Sequence, residues 1–194
     1  MGFYSVLTMA QRWISERVER GETVIDATAG GGVDTLMLAE LVGPKGCVLA
    51  FDIQQEALDK TARRLAAFDE QHKLAQVRLI KDSHANMAGY AASPVAAIMF
   101  NLGYFPGGDE SIITEPTSTL QALQQGLQLL RAGGIMTCTL YPGHAGGDVE
   151  AQVVEQWASS LPHELAHCVL YRQPQRPNAP YLIAIERKGN AAAV

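Results

Sequence analysis

Thr23-Val24-Ile25-Asp26-Ala27-Thr28-Ala29-Gly30-Gly31-Gly32-Val33-Asp34-Thr35 reads as a short apolar strand that runs straight into a glycine-rich turn and then into a helix. Glycine serves where the backbone takes a positive φ or comes close to a ligand. In an open α/β sheet, the crevice at the carboxyl end of such a strand is where nucleotides bind. The turn is not a dinucleotide fingerprint, because the third glycine of that pattern is missing. Asp26 also precedes the glycines, where its charge would repel a pyrophosphate and attract a sulfonium cation that carries an ammonium group. This charge pattern favours S-adenosylmethionine over NAD.

Periodicity on either side of the turn extends the frame. Upstream, Val6 to Arg20 predicts an amphipathic helix, with Val6, Met9, Trp13, Ile14 and Val18 at helical spacing and Gly21 as its stop. Downstream, helix is expected over Asp34 to Val42, then strand over Cys47 to Phe51 and helix over Gln54 to Phe68. Further strands are expected at Val77 to Ile80, Ala96 to Phe100 and Ile135 to Leu140. A helix from Thr117 to Leu130 is expected to stop at Gly133-Gly134, and another covers Asp148 to Ser160. Glu164 to Tyr171 and Tyr181 to Glu186 read as two closing strands around a Pro-rich loop. Alternating strands and helices imply an α/β fold with a mostly parallel, seven-stranded sheet. The closing pair, with no helix between, implies an antiparallel edge hairpin. Residues 1–188 are expected to form one domain, with 189–194 as a disordered tail.

The chain has 194 residues, 47% of them hydrophobic, and a formal net charge of -5. That balance argues against a broad basic surface that coats nucleic acid, though it leaves room for a local patch. Arg63 and Arg64, and Arg172, Arg176, Arg187 and Lys188, read first as solvated faces. Cys47, Cys138 and Cys168 form no CxxC pair, so neither a zinc site nor a disulfide framework is indicated. Each sits in an apolar run and is expected to be buried. No signal peptide or membrane span is expected, and the chain reads as cytoplasmic.

Four further stretches carry candidate chemistry. Asp52 ends the second strand about twenty residues past the turn, where a carboxylate can take both ribose hydroxyls. It can equally cap the helix that follows, and both roles can hold. Asp82-Ser83-His84 follows the third strand, where Asp82 could accept from an adenine amine; the alternative is a solvated loop. Asn101-Leu102-Gly103-Tyr104-Phe105-Pro106-Gly107-Gly108-Asp109 follows the fourth strand. An Asn side-chain oxygen can hold an N–H so that the nitrogen lone pair aims at a sulfonium carbon. Tyr104 and Phe105 offer faces on which a base could stack. Tyr141-Pro142-Gly143-His144 follows the fifth strand, and His144 is either a proton acceptor or a contact. The cofactor set expected from these stretches is Asp26, Thr28, Gly30, Gly32, Asp34, Thr35, Asp52, Ile53, Gln54, Asp82, Ser83, His84, Asn101 and Leu102. Asn101, Tyr104 and His144 are the catalytic candidates. Gly103, Tyr104, Phe105, Asp109, Tyr141 and His144 are the substrate contacts. No metal site is expected.

Across almost its whole length, the sequence resembles the rRNA methylase family of YtqB-like proteins, which includes MnmM-type tRNA 5-aminomethyl-2-thiouridine methyltransferases. The resemblance rests on DATAGGGVDT, LAELVGPKGCVLAFDIQ, FNLGYFPGGD, the TLQAL helix, YPGH and APYLIAIERK. It implies a Rossmann-like class I S-adenosylmethionine-dependent methyltransferase. The implied reaction methylates the aminomethyl nitrogen of a modified wobble uridine, with the tRNA anticodon region as partner. It also implies that Asp82 and His84 flank adenine, that Asn101 to Tyr104 lie between methyl and amine, and that Tyr141 and His144 face the nucleotide. A homodimer would supply a joint RNA surface that one acidic monomer lacks. Two places depart from the family pattern. Gly31 and Val33 stand where GNGHDT carries Asn and His, and Pro142 stands for the first His of YHGH. Other readings on the same residues are an rRNA-base or small-molecule amine methyltransferase, an NAD-dependent oxidoreductase and a nucleotide-binding regulatory module.

Overall fold

Seven strands form one twisted sheet in the order β3-β2-β1-β4-β5-β7-β6. A computed structural model describes residues 2–69, 74–91, 94–103, 105, 113–143 and 146–189. The strands are β1 (Thr23–Asp26), β2 (Cys47–Asp52), β3 (Gln76–Lys81), β4 (Val95–Leu102), β5 (Leu130–Leu140), β6 (Ala166–Tyr171) and β7 (Tyr181–Arg187). The helices are α1 (Val6–Ser15), α2 (Val33–Val42), α3 (Gln55–Asp69), α4 (Pro116–Leu129) and α5 (Gly147–Ser160). β1 to β5 pair in parallel, whereas β7 runs antiparallel to both β5 and β6. This is the mixed seven-stranded sheet that the sequence implies.

Side chains alternate across a strand, so neighbouring apolar residues enter opposite cores. On β1, Val24 joins Ile14, Leu38 and Val48 on one face of the sheet, while Ile25 joins Phe51, Ile98 and Phe100 on the other. β4 is covered on both faces, which explains its unbroken apolar run. The carboxyl ends of β1, β2 and β4 therefore sit on a rigid base.

Four expectations change. α1 stops at Ser15 rather than Arg20, because Arg17 and Val18 both send their N–H to the Ile14 carbonyl at 3.0 Å and the chain turns off the helix axis. Gly133-Gly134 do not stop α4. Leu130 is already extended, and the chain passes directly into β5. There the glycines accommodate an irregularity, since a step of two positions along β4 (Val95 to Ala97) matches a step of five along β5 (Leu130 to Ile135). Cys138 is buried, but Cys47 is only partly covered and Cys168 is exposed. Cys168 lies on β6, a sheet edge along which four consecutive residues are exposed. The segment after β3, read as a loop, is a 3₁₀ turn over His84–Gly89, with the Ser83 hydroxyl accepting from Ala85 N–H at 3.2 Å. Among the described residues, no helix is long and apolar enough to cross a membrane.

Candidate cofactor and acceptor cleft

A cleft of about 870 Å³ opens at the carboxyl ends of β1, β2 and β4. Pockets that hold small ligands run from roughly 300 to 1,000 Å³. Its floor is the glycine turn. Gly30 and Gly32 take φ of 51° and 77°, in the left-handed region that favours glycine. Gly32 also lies against α3, where a Cβ would come within 2.8 Å of Thr61 Cα. The turn is pinned from three directions. Gly30 N–H donates to Asp52 Oδ2 at 2.9 Å, Thr61 Oγ1 donates to the Gly30 carbonyl at 3.1 Å, and Arg64 Nε donates to the Gly31 carbonyl at 2.6 Å.

Asp52 also accepts from Gln54 N–H at 2.9 Å, so in this state the carboxylate ties the turn to the start of α3. Burial raises its pKa above the usual carboxylate range. Asp26 is fully buried behind the cleft wall. It accepts from Thr35 Oγ1 at 2.6 Å and from Thr28 N–H at 3.2 Å. Its pKa is pushed up to about 7, first by burial and then by the charge of Asp34. Asp34 itself lines the cleft, as do Thr28, Gly30, Ile53, Gln54, Asp82, Ser83, His84 and Asn101. Asp26, Gly32, Thr35 and Leu102 stand behind the lining residues.

At the adenine side expected from the sequence, the Asp82 carboxylate already has three donors. They are Ser83 N–H at 2.7 Å, Asn86 Nδ2 at 2.8 Å and the Tyr90 hydroxyl at 2.8 Å. The hydrogen bond from Asn86, followed by that from Tyr90, holds its pKa below the ordinary range. His84 is 8% exposed. A carbonyl only accepts, so His84 Nδ1 carries the proton that reaches the Ala27 carbonyl at 3.2 Å. Its Nε2 is buried with no partner among the described residues. Burial lowers the His84 pKa and keeps the ring neutral.

On the side where the sequence leads one to expect the acceptor, Asn101 N–H donates to Thr28 Oγ1 at 2.8 Å and its Nδ2 donates to Asp34 Oδ2 at 2.7 Å. Gly103, Phe105 and Tyr141 share this wall. The Phe105 ring packs beside Gly30, and Lys60 Nζ lies 5.0 Å from its centroid. Burial, and then Asp34, raise the Tyr141 pKa. Both ends of the loop after β4 converge on Thr114. Its N–H donates to the Gly103 carbonyl at 2.8 Å and its hydroxyl donates to Glu150 Oε2 at 2.6 Å. Buried Glu150 takes Thr119 Oγ1 on its other oxygen at 2.6 Å. Tyr104, Asp109 and His144, together with 190–194 of the expected tail, lie outside the described residues.

Sequence reading missed Leu7, Gln11, Lys60, Thr114, Glu115 and Ser118 as lining residues. Gln11 carries no motif, and only the turn of α1 toward α2 brings it to the site. Arg64, read as part of a solvated face, binds the glycine turn. The two departures in the turn are sterically mild. A Cβ on Gly31 would meet Lys60 Cε at 3.7 Å, and Val33 is 56% exposed.

The "Putative rRNA methylase" family matches residues 48–186. A chloroplastic "tRNA (mnm(5)s(2)U34)-methyltransferase" of Arabidopsis thaliana is 37% identical over 180 residues, or 89% of this chain and 66% of that protein. The chain thus spans about two thirds of that relative's length. A solved "putative rRNA-methylase" from Clostridium thermocellum superposes with a TM-score of 0.91 at 38% identity, covering 96% of this chain and 100% of that one. A Streptococcus mutans protein solved in complex with SAH gives 0.84 at 31% identity, covering 96% and 99%. The chain therefore belongs to the "Putative rRNA methylase" family and carries the class I S-adenosylmethionine-dependent methyltransferase fold.

Proposed function

We propose that the chain transfers a methyl group from S-adenosylmethionine to the aminomethyl nitrogen of 5-aminomethyl-2-thiouridine at the tRNA wobble position. The product is 5-methylaminomethyl-2-thiouridine. The observation that carries the acceptor half of this reading is Asn101, whose amide is held by Asp34 beside the glycine turn. The match to the Arabidopsis protein supports the choice of RNA nitrogen.

The residues present fit the cofactor. Asp34 and Asp52 line the cleft, giving a negative field that suits a sulfonium and an ammonium, and Asp26 lies directly behind it. Asp52, with Ile53 and Gln54, is placed for the ribose. Ser83 and His84 stand at the adenine end. When bound, S-adenosylmethionine supplies a methyl group on an electrophilic sulfonium. The work left to the protein is alignment, because an in-line displacement needs no covalent nucleophile. Asn101 Oδ1 accepts an N–H of the neutral amine and turns the nitrogen lone pair toward the methyl group. Phe105 and Tyr104 take the uracil ring. His144 takes the proton released by the product.

The net charge of -5 favours one second reading, a small-molecule amine as acceptor. A single assay separates the two. Labelled S-adenosylmethionine is incubated with bulk tRNA that lacks its final wobble methylation, and nucleosides are read by mass spectrometry. Conversion of the aminomethyl to the methylaminomethyl nucleoside is expected. Absence of conversion, with SAH binding intact by calorimetry, refutes the tRNA acceptor and leaves rRNA or a small amine.

A further inference from the structure

Asp34 is 9% exposed, and each of its carboxylate oxygens holds an amide. Gln11 Nε2 donates to Oδ1 at 2.7 Å and Asn101 Nδ2 donates to Oδ2 at 2.7 Å. A carboxylate accepts and does not donate, so both amides must turn their NH₂ groups toward it. This settles the orientation of Asn101 on chemical grounds. Nδ2 faces Asp34, and Oδ1, in the cleft wall, has no hydrogen-bond partner among the described residues. The backbone of the same residue is fixed separately, through Asn101 N–H to Thr28 Oγ1 at 2.8 Å. Among the described residues, no lysine, arginine or histidine forms an ion pair with Asp34. Its charge sits in the first turn of α2, where the helix dipole favours an anion. The carboxylate is thus available to orient neutral amides.

We propose that Asp34 and Gln11 are positioning residues, and that the chain Gln11–Asp34–Asn101 locks the Asn101 amide so that Oδ1 and never Nδ2 meets the acceptor. The lock selects an acceptor atom that carries hydrogen, such as an amine nitrogen, over one that can only accept. It also makes α1 part of the reaction site, although that helix precedes the matched residues 48–186. The proposal rests on the reading of Asn101 as the contact of the acceptor nitrogen.

The test compares N101A, D34N, Q11A and the reciprocal swap D34N/N101D. The acceptor is tRNA lacking its final wobble methylation. The readouts are kcat, KM for tRNA, SAH affinity and melting temperature. In D34N, an amide faces an amide and Asn101 is free to flip, so kcat falls on the order of 100-fold, the scale of a misplaced reacting group. SAH affinity, to which the Asp34 charge contributes, falls by much less than kcat. Q11A loses one hydrogen bond to Asp34, and kcat falls about 2- to 10-fold. The swap rebuilds an amide-to-carboxylate bond and keeps an oxygen toward the acceptor, so it recovers most of the kcat lost in D34N. Wild-type kcat in D34N and Q11A, or a swap no better than D34N, overturns the proposal. So does a loss of SAH affinity that matches the loss of kcat, because Asp34 would then be a cofactor group. If D34N does not fold, Q11A on the partly exposed face of α1 decides alone. Wild-type turnover by N101A refutes instead the underlying reading of Asn101. An inert N101A beside a fully active D34N refutes only the lock.

Discussion

Replacing Gly32 with alanine tests whether the turn is shaped by contact with α3 or only by chain flexibility. Gly32 has φ of 77°, where an L-residue costs about 1–2 kcal/mol. The added Cβ would lie 2.8 Å from Thr61 Cα, 2.9 Å from Thr61 Oγ1 and 3.0 Å from Thr61 Cγ2. The first of these is backbone in the middle of a packed helix and cannot swing away. Overpacking of this kind costs about 1–3 kcal/mol. Together the two effects predict a loss of about 2–5 kcal/mol. For a chain of this size, each kcal/mol lowers the melting temperature by roughly 2–4 °C, so a drop on the order of 10 °C is expected. Gly31→Ala is the matched control, since the nearest atom to its Cβ is Lys60 Cε, in a flexible side chain, at 3.7 Å. That variant should melt within about 2 °C of wild type. Calorimetric melting of both, with SAH titration of whatever remains folded, reads the result. Equal melting temperatures for Gly32→Ala and wild type would refute the claim that Thr61 shapes the turn.

Asp26 makes stability depend on pH. Its native pKa of about 7 exceeds the ordinary value of about 3.9, so the native state holds a proton that the unfolded chain has lost. Stability should fall as pH rises from about 4 to 7, by roughly 4 kcal/mol at most, and Asp26→Asn should flatten that slope in melts across the range. Because the cofactor is cationic, SAH and S-adenosylmethionine should differ in proton release near pH 7, measurable by calorimetry in buffers of different ionisation enthalpy. Glu150→Gln leaves one carbonyl oxygen for two threonine hydroxyls, and a loss of about 1–3 kcal/mol in thermal or urea unfolding is expected. The double change Gly31→Asn with Val33→His restores the family turn. It should leave stability within about 0.5 kcal/mol and SAH affinity within a few-fold, because both positions have room. A large loss of either in that variant would contradict the open geometry at these positions.

The sheet and its turn were legible in the sequence because both are local. Short unbroken apolar runs, glycines at a strand end and an acid about twenty residues on are written in consecutive residues. The elements that were misread are those where a distant partner overrides the local signal. Gly133-Gly134 look like a helix stop until β4 is beside them. There the close approach of Gly134 to the Ala96 carbonyl, where a Cβ would sit at 3.0 Å, gives the glycine its purpose. Cys168 looks buried because its neighbours are apolar, yet β6 is a sheet edge on which His167 to Leu170 are exposed. The site divides in the same way. Asp52 and Asn101 were legible as cleft-lining residues because each lies at the carboxyl end of a strand, and strand ends converge on the crevice. Asp34 was named too, but the links that join it to its partners were not, because they run 23 residues back to Gln11 and 67 residues on to Asn101. Neither spacing is a motif, and a glutamine on an amphipathic helix has many reasons to exist. What the fold adds to the sequence is therefore less the list of reactive groups than their orientation. An amide that sequence marks as present becomes, once Asp34 is in place, an amide with one end already chosen.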